Sequence, residues 1–122
     1  MAAAVATPVV GTGGWADQRY HHTGQVTISA SPATYTTGGI VFNLNIPLIK
    51  ASRTPSQVWL YGLAGYIYVY VKGTDNSNGL LKIFVQDGVS ANPLAEMANA
   101  LAIPAGVSGD TIEFSALWKG ME

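Results

Sequence analysis

In the run Ile40-Val41-Phe42-Asn43-Leu44-Asn45-Ile46 the even positions are all apolar and the odd ones include two asparagines. Ile112, Phe114, Ala116 and Trp118 repeat the alternation near the C-terminus, with Glu113 and Ser115 between them. A two-residue period belongs to a strand with one buried face. Val26 and Ile28 against Thr27 and Ser29 read the same way, and Gln57–Gly62 reads as a further short strand. Six to eight strands result, separated by turn signals such as Gly38-Gly39 and Asn78-Gly79. No βαβ rhythm, internal repeat or internal domain boundary is visible. The pattern therefore predicts an all-β chain: an antiparallel β-sandwich or small barrel, jelly-roll-like. One short helix is an option near 93–101, with Asn92 as N-cap and Pro93 in the first turn; a loop strap is the alternative.

The chain has 122 residues, which fits one domain able to bury a real core. Residues 20–122 are assigned to it. Residues 1–19 contain Pro8, Gly11, Gly13 and Gly14 and read as a flexible or extended N-terminal arm, with neither a signal peptide nor a membrane span. Charged residues make up 11 per cent, well under the usual share of about 25 per cent, and the net charge is −1. Self-repulsion is weak and association is easy. Six basic residues, scattered, do not form a nucleic-acid footprint. There are no cysteines, which removes disulfides and thiolate metal sites.

Catalytic signals are sparse. His21 and His22 are adjacent, so a strand sends them to opposite faces and one metal cannot easily take both; they read as a solvated strand start. The seven acids fall mostly in turns, with Glu113 outward on the last strand. No G-x-S-x-G nucleophile motif occurs. No catalytic, cofactor-binding or metal-ligating residue is assigned.

The segment Gly65–Gln86 is apolar on both faces. Ile67, Val69 and Val71 are expected to face the core together with Leu81, Ile83 and Val85. Tyr66, Tyr68 and Tyr70 then share the other face with Phe84. That face is either covered by the chain's own 87–109 segment or arm, or it is a protein contact, since tyrosine is enriched at interfaces; sugar stacking is a third reading. Trp59 and Trp118 read as core. Trp15, after a glycine run, can pin the arm to this domain or to a neighbour. The candidate protein–protein interface is thus Trp15, Tyr66, Tyr68, Tyr70 and Phe84.

Several stretches resemble a group of small virion proteins of tailed bacteriophages, the head decoration or cement proteins. They are Thr37-Gly38-Gly39 before an alternating strand, the Tyr66 and Tyr68 strand, Leu81-Lys82-Ile83-Phe84, Pro93-Leu94-Ala95-Glu96, and a last strand closing at Gly120. The resemblance spans residues 34–120. It implies a non-enzymatic β-sandwich on the capsid exterior, working as a homo-oligomer, a trimer, docked on the major capsid protein, with no nucleic-acid or membrane partner. The alternative is a carbohydrate- or receptor-binding module of a phage tail or fibre; a small hydrolase has the least support.

Overall fold

The computed structural model describes residues 3–16, 19–46, 49, 53–85 and 94–119, with the backbone alone for Val10, Trp15, Ala16 and Lys119. These residues form β1 (Val5–Ala16), β2 (Arg19–Ile28), β3 (Ile40–Phe42), β4 (Gln57–Tyr61), β5 (Ile67–Val71), β6 (Gly79–Val85), β7 (Ala95–Glu96), α1 (Ala105–Ser108) and β8 (Ile112–Lys119). They make a single mixed sheet in the order β4-β8-β2-β1-β3-β6-β5, with β7 added to β6. Every pairing is antiparallel except β1 with β3. The terminal strands β4 and β5 come side by side, so the sheet curls into a nearly closed barrel. The all-β expectation holds in its barrel form. The short helix is at Ala105–Ser108, not near 93–101; Ala95–Glu96 is a strand, and Asn92 and Pro93 lie outside the described residues.

Alternation decides the interior. Tyr20, His22, Val26 and Ile28 of β2 point inward, as do Ile112, Phe114, Ala116 and Trp118 of β8. Ile40, Phe42 and Leu44 join them from the β3 region, and Leu81 and Ile83 from β6. Phe42 and Phe114 meet edge to face with centroids 5.7 Å apart, an arrangement favoured by the ring quadrupoles. The Trp118 indole N–H donates to the Arg53 carbonyl at 2.6 Å, so the largest core side chain leaves no orphan donor. Side chains fill a barrel this small.

The N-terminal residues expected to form an arm supply β1, which lies between β2 and β3 in the sheet. Its register shifts between Val9 and Gly11, so the inward parity changes there. Ala4, Ala6 and Pro8 face the core before the shift; afterwards Gly11 and Gly13 do. A Cβ on either glycine would lie 2.5 Å from the His22 imidazole. These glycines leave room for a buried ring; they are not a flexible tether.

His22 departs from the solvated reading. It is 2 % exposed, between Tyr20 and Phe114, with centroid distances of 6.2 and 5.9 Å. Burial pushes its pKa below the ordinary 6.5, and the charge of His21 adds to the shift. The unfolded chain therefore binds a proton that the barrel refuses. The stability His22 contributes is fully present above its unfolded pKa and is lost as pH falls from there through the lower folded value. The melting temperature should fall between pH 7 and pH 5.5, above the ordinary carboxylate range. In His22→Gln this slope should be shallower, although that variant melts lower at pH 7. Circular-dichroism melts across the interval check both.

Two carboxylates lock the loops around the barrel. Glu96 Oε2 accepts from the Tyr35 hydroxyl and from Gly38 N–H, each at 2.7 Å. The tyrosine hydrogen bond, followed by the Gly38 amide and the charge of Lys82, holds Glu96 below its usual pKa against an opposing desolvation. Asp110, just before β8, closes the seam between β4 and β5. Its Oδ1 accepts from Leu63 N–H at 2.9 Å and Ala64 N–H at 3.1 Å, and its Oδ2 accepts from the Tyr68 hydroxyl at 2.7 Å. Hydrogen bonds to a charged acceptor contribute about 1.5–3 kcal/mol each and are not additive. Asp110→Ala should destabilise the fold by about 3 kcal/mol, lowering Tm by roughly 10 °C for a domain of this size. Asp110→Asn should lose about half of that, as read by thermal melts.

Candidate functional site

The outward tyrosine face is not formed. On β5 the parity is opposite to that expected. Tyr68 is 5 % exposed and Tyr70 half-buried, while Ile67 and Val69 are 48 % and 42 % exposed. The cause is the register of the β5–β6 hairpin, which pairs Tyr68 with Ile83 and Tyr70 with Leu81. Directly paired residues share a face, so the tyrosines follow Leu81 and Ile83 inward. Residues 72–78 set that register. Asn78 Oδ1 accepts from Thr74 and Asp75 N–H, and Asp75 Oδ1 accepts from Ser77 N–H.

Tyrosine suits these positions because its ring fills the core while its hydroxyl reaches a polar rim. Tyr68 ends on Asp110; burial, then that hydrogen bond, pushes its phenol well above the ordinary value. The Tyr70 ring lies against Phe42 and over Gly79, where a Cβ would collide with it. Its hydroxyl and that of Thr54 face each other but fall short of hydrogen-bond geometry, and both are buried. Tyr66 is half-buried, packed on the core, with its ring over Gly106 of α1. Phe84 is half-buried on the outer side, opposite Ile67. The Trp15 side chain lies outside the described residues.

What replaces the tyrosine row is a band of aliphatic residues on the barrel exterior. Val5 is the register partner of Val41, Val41 of Leu80, and Leu80 of Val71. Val69 and Ile67 extend the band along β5, and Phe84 completes it. Val5, Val41, Ile67 and Val69 are all more than 40 % exposed. Lys82 is the one charged residue on this face of β6, and it lies within electrostatic reach of Glu96. Beside Val5 and Val41 a groove of about 310 Å³ runs along β1 and β3 to Ile46. The band was missed because Gly65–Gln86 is apolar on both faces, and only the loop conformation selects which face is outside.

A second surface lies on β4, β8, β2 and β1. Trp59, expected in the core, is 53 % exposed, and Tyr61 is 65 % exposed. Val58 and Leu60 supply the inward face of β4 instead. A signal was present in the sequence: Gln57 shares parity with Trp59 and Tyr61 and marks their face as outward. Ser115 lies opposite Trp59, and Glu113 opposite Tyr61. On the next strand Thr23 faces Ser115 and Gln25 faces Glu113. Together they line a groove of about 490 Å³.

Catalytic parts remain few. Ser115 Oγ and His21 Nε2 are 2.6 Å apart on the exterior. That is a nucleophile and base in contact, but among the described residues no carboxylate orients the other imidazole nitrogen. Ser115 also sits mid-strand, paired to both Thr23 and Trp59, so its flanking backbone N–H groups are committed to the sheet rather than gathered as an oxyanion hole. Asp75, Glu96 and Asp110 are engaged in loop closure, and Asp17, Asp87 and Glu122 lie outside the described residues. Among the described residues no three His, Asp or Glu side chains are grouped to hold a metal.

Compared with known proteins, the chain matches no family model, no curated protein and no solved structure.

Proposed function

We propose that this chain is a non-enzymatic structural virion protein that decorates and stabilises a phage capsid, as a homotrimer docked on the major capsid protein. The observation that carries the association is the aliphatic band from Val5 through Val41 and Leu80 to Val69 and Ile67. Monomeric proteins rarely leave large contiguous apolar patches in water. A net charge of −1 offers little repulsion to copies meeting there. The occupant of the band is a second copy of the chain, because the one cation on its strands, Lys82 opposite Val69, lies within electrostatic reach of Glu96 and leaves little net charge to select a different partner. The virion setting rests on the resemblance of residues 34–120 to cement proteins. Such a protein works through many modest contacts held at fixed spacing, which multiply into high avidity.

The test is co-sedimentation with heads assembled from the cognate major capsid protein alone. Saturable binding at a fixed ratio, with heads surviving higher temperature once decorated, is the expected result. Failure to bind heads by a folded, oligomeric protein would overturn the capsid assignment while leaving the association intact.

A further inference from the structure

We infer that the groove under Trp59 and Tyr61 is a binding site for neutral oligosaccharides. Two large aromatic rings stand on the exterior of one strand, two residues apart, which places them about 7 Å apart along it. Neither is part of the core, so packing within the barrel does not account for them. A sugar ring presents an apolar face of C–H groups and a rim of hydroxyls. An exposed indole and phenol match the first, and the rest of the groove matches the second.

That remainder is polar and shallow. The rows run Trp59, Ser115, Thr23, Thr12 and Tyr61, Glu113, Gln25 across successive strands. Three hydroxyls, an amide and a carboxylate thus offer both donors and acceptors beside the rings. His21 holds the Ser115 hydroxyl at 2.6 Å and fixes its direction. Gly11 and Gly24, whose side-chain direction is inward, contribute backbone to the floor between these rows. The volume of about 490 Å³ lies within the range of small-ligand sites.

Charge narrows the class. Among the described residues the lining holds no lysine or arginine and one carboxylate, Glu113. Phosphate, sulfate and uronate groups would meet no cation there, which disfavours nucleic acids and acidic glycans. The polar floor also differs from the aliphatic band itself, whose residues Val5, Val41, Leu80, Val71, Val69 and Ile67 carry no hydroxyls. The groove is therefore a different surface with a different partner, and it would serve an assembled particle by holding it to a polysaccharide.

The experiment uses the full chain on an array of immobilised neutral gluco-, galacto-, manno- and N-acetylhexosamine oligosaccharides, followed by titration of the best binder through tryptophan emission. Wild type should bind a defined subset, with a change in emission on saturation. Trp59→Ala should weaken binding about 30-fold or more, as removal of a central aromatic anchor does. Glu113→Gln should alter which sugars are preferred. Both substitutions are at exposed positions and should leave the melt unchanged. Absence of binding by wild type at millimolar ligand, or equal binding by Trp59→Ala, would overturn the site. So would a Trp59→Ala variant that loses oligomerisation and keeps its array signal, since Trp59 would then be a subunit contact.

Discussion

Tyr68→Asp is expected to yield a chain that is unfolded at 25 °C, with no cooperative melt. The wild-type ring is 5 % exposed, opposite Ile83, and its hydroxyl is the seam-closing partner of Asp110. Removing a buried aromatic ring costs about 3–5 kcal/mol. The aspartate adds a carboxylate that is either buried unpaired or protonated against its preference, a further cost of several kcal/mol, on a side chain close to the Asp110 charge. Together these reach the whole stability of a typical domain, about 5–15 kcal/mol. Tyr68→Phe keeps the ring and loses one hydrogen bond to a carboxylate, so it should cost only about 1.5–3 kcal/mol. Near-ultraviolet circular dichroism and a thermal melt distinguish the two. A folded Tyr68→Asp that merely failed to assemble would mean that the ring lies at a surface after all.

The paired substitution Ile67→Asp/Val69→Asp should have the opposite profile. Both side chains are exposed by more than 40 % and stand on the outer face of β5, so the barrel loses little when they change. Surface changes of this kind usually stay within about 0.5 kcal/mol each. In the proposed oligomer the same residues are covered, and two carboxylates per subunit would be desolvated with only Lys82, opposite position 69, to pair with one of them. Breaking a central interface position this way costs more than about 2 kcal/mol, and two positions together should weaken association at least 100-fold. Sedimentation velocity should show dissociation while the melting temperature of the subunit shifts by no more than a few degrees.

The parts of the fold that were legible are those in which one face of a strand is polar. Asn43 and Asn45 expose the outside of the β3 region, and Glu113 and Ser115 that of β8, so Ile40, Phe42, Leu44 and the inward residues of β8 could be placed directly. The β5–β6 hairpin could not, because Tyr68 and Val69 are both plausible core residues. The choice between them was made by hydrogen bonds of Asn78 and Asp75 in the connecting loop. Glycine misled at the N-terminus. Gly11 and Gly13 read as chain flexibility, whereas their missing side chains accommodate the imidazole of His22, eleven and nine residues further on. The helical spacing after Pro93 was overridden by tertiary contacts. Met97 N–H donates to the Ile83 carbonyl at 2.9 Å, and Glu96 is held by Tyr35. Of the candidate interface residues, Phe84 stands on the outer face and the tyrosines do not. The aromatic pair of β4 was readable only through Gln57.

The most direct test of association through the aliphatic band is the molar mass of the chain by light scattering at tens of micromolar, for wild type beside Ile67→Asp/Val69→Asp. Wild type should give three times the subunit mass of 12.8 kDa, and the variant the subunit mass itself with its barrel intact. A wild-type chain that scatters as a monomer at that concentration, or a variant that remains a trimer, would contradict the account.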